Sequence, residues 1–217
     1  MAHLFAALDP DAIMDCVESC GLRPDARILT LNSYENRVFQ IGIEDEEPVV
    51  GKFYRDNRWT DAQILEEHEF TAELRTLDLS VVAPLEIEGA TLHHADPFRF
   101  TLYPRQAGRT PNLEDENALA ILGRAIGRIH AAGQRPFEHR PELNTQSHGH
   151  DSRAAVLEGG YLPPELEASY ESVTEQMLRD IDAVFESTPY RKIRLHGDCH
   201  MGNVLWREDV PHFVDFD

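Results

Sequence analysis

The side chains best suited to chemistry stand close together near the end of the sequence. Asp198 precedes Asn203 by five positions within residues 195–206, and Asp215 follows on the apolar segment 213–217. A carboxylate five residues ahead of an amide, with a second carboxylate on the next apolar segment, is the spacing of base and metal ligands in phosphoryl transfer. That reaction needs one carboxylate to take the proton of an attacking hydroxyl. It also needs an amide oxygen and a second carboxylate to hold magnesium. Gly197 and Gly202 allow the turn that brings these groups together. Asp198 alone, after a glycine, reads as a turn aspartate, and Asn203 as a turn or cap residue; the combined spacing changes both readings. Asp217 adds a further carboxylate on the face of Asp215 if the strand continues.

A rival grouping overlaps this one. His196, Asp198 and His200 alternate, so on a strand they would share a face and suit zinc or iron in a hydrolase. The two glycines argue for a turn, and the metal reading leaves Asn203 without a role. In the favoured reading His196 braces the loop and His200 is a neighbour of the site. Lys52 is the remaining cation of interest. It lies among apolar neighbours in residues 49–54, where unpaired burial is costly and a partner is required. Such a lysine can hold the α- and β-phosphates of a nucleotide, with Glu66 or Glu67 of the following segment as its ion-pair partner.

The elements that must position these groups fall into two sets. Residues 9–20 pattern as a helix with Ile13, Cys16 and Val17 on one side and Gly21 as its stop. Residues 27–31, 37–43 and 49–54 pattern as consecutive antiparallel strands. Thr60 is placed to cap a helix running through Leu77, with Ile64, Leu65, His68, Ala72 and Leu74 near helical spacing. Two short strands follow, near 85–87 and 98–103. Residues 104–111 then form a linker, with two prolines and a glycine. Asn112 is placed to cap a helix over 113–132, striped by Leu119, Leu122, Ile126 and Ile129. Residues 134–151 read as a polar loop, and 164–185 as a second long helix. The histidines at 130, 139, 148 and 150 share no ligand spacing, and Trp59 and Trp206 read as packing residues.

Composition bounds the partners. With 217 residues, 41% of them hydrophobic, the chain can bury a sizeable core. Twenty basic against 39 acidic side chains give a net charge of −19, which argues against nucleic acid or an anionic membrane as partner. A polyanionic nucleotide then depends on a few placed cations and on magnesium. Residues 1–10 lack a basic stretch and a long apolar run, so no secretory signal is expected there, and no apolar run is long enough for a membrane span. Three cysteines, two of them four apart on one helix, suit packed thiols in a reducing, cytoplasmic compartment.

The wording His-Gly-Asp, in place of His-Arg-Asp, resembles the aminoglycoside phosphotransferase and choline kinase branch of the kinase-like superfamily. Leu31-Asn32-Ser33-Tyr34-Glu35-Asn36-Arg37-Val38, Lys52-Phe53-Tyr54-Arg55 with Arg58-Trp59-Thr60, Gln63-Ile64-Leu65-Glu66-Glu67-His68, and Arg194-Leu195-His196-Gly197-Asp198-Cys199-His200 look like the bacterial stress response kinase A family. The resemblance runs throughout the chain. It implies an α+β, protein-kinase-like two-lobe fold: an antiparallel-sheet amino lobe over 1–104, and a mainly helical carboxy lobe, over 105–217, whose last helices would follow Asp217. It implies an ATP- and magnesium-dependent Ser/Thr kinase of the cytoplasm acting on proteins in a stress response, itself a phosphoprotein, and a monomer at full length. It places Glu67 as the partner of Lys52. Residues 32–36 take the position of a phosphate lid, without its glycines, where Ser33 and Asn36 could cradle phosphate oxygens. Residues 102–106 take the position of an adenine-binding hinge. Pro104 lacks an N–H, which leaves Tyr103 and Arg105 as the contacts. A small-molecule kinase acting on an aminoglycoside, choline or a homoserine-like alcohol is the alternative, and a noncatalytic binding module a third possibility.

Overall fold

The computed structural model describes residues 4–216. The carboxylate expected at Asp217 lies outside the described residues, as do the first three positions of the stretch read for a signal. Within the described residues the chain forms two compact units, one of residues 1–139 with 193–217 and one of residues 140–192.

The first unit begins with helix α1 (Pro10–Ser19), whose N-cap Asp9 accepts from the Ala12 N–H. Pro10 sits at the first turn, where its missing N–H costs nothing. Gly21 follows the helix at φ +77°, a conformation that favours glycine. Strands β1 (Pro24–Leu31), β2 (Arg37–Ile43) and β3 (Val49–Phe53) come next, then helix α2 (Asp61–Thr76), then β4 (His93–Ala95) and β5 (Phe98–Pro104). The five strands form one antiparallel sheet in the order β1-β2-β3-β5-β4. Strand alternation gives the sheet two different faces. Phe39, Ile41, Phe53, Phe100 and Leu102 pack with Ile13, Cys16 and Val17 of α1. Lys52, Tyr54 and Thr101 carry the polar side, where the Tyr54 hydroxyl meets His68 of α2 at 3.2 Å and Thr101 at 3.2 Å.

Helix α2 starts where expected. The Thr60 hydroxyl accepts from the Gln63 N–H and the Gln63 side chain accepts from the Thr60 N–H, a reciprocal cap. Such a cap is worth about 1 kcal/mol. Its buried side differs from the expected stripe: Leu65 and Ala72 face solvent, whereas Glu67, Phe70 and Thr71 are buried. Polar residues occupy this inward face because the helix packs on the polar side of the sheet.

Beyond the sheet, α3 (Glu116–Ala132) precedes the hairpin β6 (Val204–Arg207) and β7 (Val210–Phe213). Phe70 and Leu74 of α2, Leu122 and Ile129 of α3, and Val204, Trp206 and Phe213 of the hairpin share a second core with Phe216. The linker adds an edge to the hairpin through a bridge between Arg109 and Trp206, and Gly108 allows it, since a Cβ there would meet Leu205 at 2.6 Å.

Four local expectations are corrected. Residues 85–87 are not a sheet strand, because Ile87 pairs with Ala90 around a turn at Glu88 and Gly89, and β4 lies at His93–Ala95 instead. Helix α3 is capped by Asp115, since the Asn112 side chain is used on the Glu114 amide. Leu119 on that helix is exposed. The loop expected over 134–151 becomes helical at its end.

The second unit holds that helical stretch. A π-helical turn (Gln146–His150) runs directly into α4 (Asp151–Glu158), followed by the long helix α5 (Pro164–Ser187). The His150 imidazole lies 2.8 Å from Asp182, and the Arg153 guanidinium donates to the Thr174 hydroxyl at 2.9 Å. No helix among the described residues is long and apolar enough to cross a membrane.

Candidate active site

The segment between Arg194 and Val204 is neither strand nor long helix. Gly197 takes φ +91°, a turn that a residue with a Cβ adopts with strain. After it, a 3-10 turn (Met201–Asn203) is capped by His200, whose Nδ1 accepts from the Gly202 N–H at 2.9 Å. Gly202 is needed for space, since a Cβ there would lie 2.5 Å from the His200 ring. This geometry overturns the strand reading of His196, Asp198 and His200. His196 is buried, whereas Asp198 and His200 point outward, with 63% and 58% of their side chains exposed. Among the described residues no three His, Cys, Asp or Glu side chains are grouped to hold a metal ion.

Asp198 and Asn203 are joined directly. The Asn203 amide nitrogen donates to the Asp198 carbonyl at 3.0 Å, which leaves the amide oxygen to serve as an acceptor. Asn203 is also tied to the next segment, because its carbonyl accepts from the Val214 N–H at 3.0 Å. Asp215 follows at φ +62°, a left-handed conformation that aspartate tolerates better than most residues. Its Oδ1 accepts from the Lys52 ammonium at 2.5 Å. Lys52 is only 5% exposed, and its ammonium stands 5.5 Å from the Tyr54 ring centroid. An amide oxygen and a carboxylate are hard oxygen donors, so Asn203 and Asp215 suit a magnesium or calcium ion.

Glu67 is 2% exposed on the inward side of α2, and its carboxylate lies 4.0 Å from the His68 imidazole. Burial pushes the Tyr54 phenol far above its ordinary range, with the Lys52 charge opposing this and the Glu67 charge adding to it. Both charges therefore reach the same buried hydroxyl. Glu66 points the other way and accepts from the backbone N–H groups of Glu138 and His139. Residue by residue, α2 thus turns one glutamate into the fold and spends its neighbour on a loop.

The remaining candidates lie near the sheet. Ser33 is exposed in the turn between β1 and β2. Asn36 is buried, and its side-chain oxygen accepts from the Arg55 N–H at 3.2 Å, so it braces that turn against the chain leaving β3. Tyr103 pairs with Val50 in the sheet and meets the His68 ring edge-on at 6.5 Å. Arg105 is exposed and its guanidinium donates to Gln40 at 3.0 Å.

His196 braces the loop as expected, and aromatic and cationic contacts not anticipated from sequence add to it. His196 stacks on Phe216 at 4.1 Å, and Phe216 meets Phe70 of α2 edge-on at 6.0 Å. The Arg194 guanidinium lies over the Phe70 ring, 4.2 Å from its centroid. Ser80 bonds His212 at 2.7 Å while its carbonyl accepts from the Phe213 N–H, which fixes β7 and hence the approach to Asp215.

The chain is 38% identical over all its 217 residues to stress response kinase A of Escherichia coli K12, covering 66% of that protein. It is 37% identical to the serine/threonine protein kinase RdoA of Salmonella typhimurium LT2, again over 66% of its length. The chain thus spans slightly less than two thirds of the curated relatives it matches. Among solved structures, the amicoumacin kinase hAmiN in complex with AMP-PNP, Ca2+ and Ami superposes with a TM-score of 0.74 at 20% identity, over 95% of this chain and 64% of that one. A microcompartment-associated aminopropanol kinase gives 0.70 at 18% identity, over 96% and 69%. These likenesses show an α+β, kinase-like fold. Residues 27–217 match the model of the phosphotransferase enzyme family, and the chain belongs to that family.

Proposed function

We propose that this chain is the nucleotide-binding and catalytic part of an ATP- and magnesium-dependent kinase that phosphorylates Ser/Thr hydroxyls of proteins in a cytoplasmic stress response. The observation that carries the reading is the contact of Lys52, from the sheet, with Asp215, whose segment is bonded through Val214 to Asn203 and through Asn203 to the Asp198 carbonyl. Residues 1–104 would supply the nucleotide side and residues 105–217 the transfer chemistry.

Asp198, exposed on its turn, accepts the proton of the incoming hydroxyl as that oxygen bonds to the γ-phosphorus. The bond from the γ-phosphorus to the bridging oxygen breaks and ADP leaves with that electron pair. Lys52 offsets phosphate charge, and Glu67 on α2 helps set the field in which that ammonium sits. The Ser33 hydroxyl and the backbone amides of its turn would bind the phosphates, with Asn36 holding the turn in shape, and Tyr103 and Arg105 would contact the adenine. Asn203 and Asp215 would hold magnesium, which when bound neutralises charge on the phosphates.

Protein as acceptor is supported by the relative named as a serine/threonine protein kinase. A second reading, a kinase for a small alcohol, is favoured by the names of the solved structures that share the fold. Incubation with γ-labelled ATP, magnesium and generic protein acceptors, beside amino sugars, choline and homoserine, separates the two. Label on protein Ser/Thr is expected. Label confined to a small alcohol supports the second reading, and ATP-dependent stabilisation with no label on any acceptor contradicts both.

A further inference from the structure

Arg194 stands four residues before Asp198 and is 4% exposed. A guanidinium so buried must be held by good geometry, because desolvating it is costly. Its Nη1 donates to the Glu73 carboxylate of α2 at 2.8 Å, and its Nη2 donates to the Ala132 carbonyl at the end of α3 at 3.2 Å. Its own backbone N–H donates to the Gly133 carbonyl at 2.7 Å. Gly133 makes that approach possible, since a Cβ there would meet the Arg194 carbonyl at 2.3 Å. The Arg194 Nε has no hydrogen-bond partner among the described residues. The group is therefore placed for its position between two helices and not for maximal bonding.

Glu73 is selected for this pair. The Arg194 hydrogen bond holds its carboxyl below the usual carboxylate range, with a smaller contribution from Arg135 at 3.3 Å. Glu73 lies on the same helix as Glu67, and Arg194 enters the turn that presents Asp198. One ion pair thus spans the helix bearing the buried glutamate and the segment bearing the proposed base.

We propose that Arg194 is a positioning residue: its ion pair with Glu73 fixes the segment leading to Asp198 against α2, so that Asp198 and Glu67 keep their relative places. This rests on the phosphoryl-transfer reading for its effect on rate, and on geometry alone for its effect on the segment. Both effects can be measured in the full chain carrying Glu73→Gln, Arg194→Met, Arg194→Lys, or Glu73→Gln with Arg194→Met.

Amide hydrogen exchange reads the segment directly. Glu73→Gln and Arg194→Met should each speed exchange across residues 197–203 by about tenfold, with the double variant no faster than either single one. Amides of α1 should not change. In the same variants kcat for phosphate transfer should fall about tenfold while the KM for ATP moves less than about twofold, with Arg194→Lys intermediate. Unaltered exchange over 197–203, or additive effects in the double variant, overturns the proposal. If the parent chain transfers no phosphate, the functional reading fails while the exchange result still decides the positioning.

Discussion

The Lys52 ammonium and the Asp215 carboxylate meet at 2.5 Å although 163 residues separate them in sequence. This contact joins the middle strand of the sheet to the segment that follows the hairpin. Lys52 is almost fully buried, whereas the Asp215 side chain is 46% exposed. The pair is therefore open on one side, where a phosphate or a cation can reach it.

Removing the cation should affect ligand more than fold. Lys52→Met is expected to weaken ATP binding by about tenfold or more, the loss typical of one hydrogen bond to a charged group. Titration calorimetry measures it, with Lys52→Arg as the charge-preserving control. Unchanged affinity in Lys52→Met contradicts a phosphate role.

At Asp215, chemistry and backbone can be separated. Asn tolerates the left-handed conformation and keeps an oxygen for Lys52, so Asp215→Asn should lose less stability than Asp215→Ala while losing magnesium-dependent ATP affinity. Asp215→Ala should lose the same affinity and also about 1 kcal/mol of stability, because alanine is strained at that φ. Urea unfolding beside ATP titration with and without magnesium tests both. Equal affinity in parent and Asn variant sinks the ligand assignment.

Cys16 predicts an alkaline limit to stability. Burial chiefly, then the Cys20 and Asp15 charges, push its thiol from 9.0 up to about 11. An unfolded chain releases this proton near 9.0, so the contribution is complete below that pH and is lost as pH rises through about 11. Cys16→Ala should therefore lose less stability than the parent between about pH 8 and about pH 10.5. The buried Tyr54 phenol still titrates in the variant, so some alkaline loss persists. Identical slopes in parent and variant would remove Cys16 from this role.

The parts of the fold legible in the sequence are those whose signals are local. Asp9 and Gly21 bound α1, and Thr60 with Gln63 opens α2, because caps act within a few residues. β4 was missed for the same reason: His93-His94-Ala95 has no strand pattern of its own and pairs only because β5 lies beside it. Of the proposed site residues, spacing along the chain points to Asp198, Asn203 and Asp215, and a charge in an apolar strand points to Lys52, whose contact with Asp215 no local signal shows. Arg194 and Glu73 were not, since 121 residues separate them and neither stands out among the charges around it. His200 was legible only as a neighbour, although its ring caps the turn that places Asn203.

Single-turnover transfer of the γ-phosphate by the parent and by Asp198→Asn tests the central claim most directly. The amide cannot take the hydroxyl proton but keeps the shape of the carboxylate, and the Asp198 side chain is 63% exposed. The expected result is a loss of about 10²- to 10⁴-fold in transfer rate with ATP affinity unchanged within about twofold. Transfer within about threefold of the parent would contradict Asp198 as the group that takes the proton.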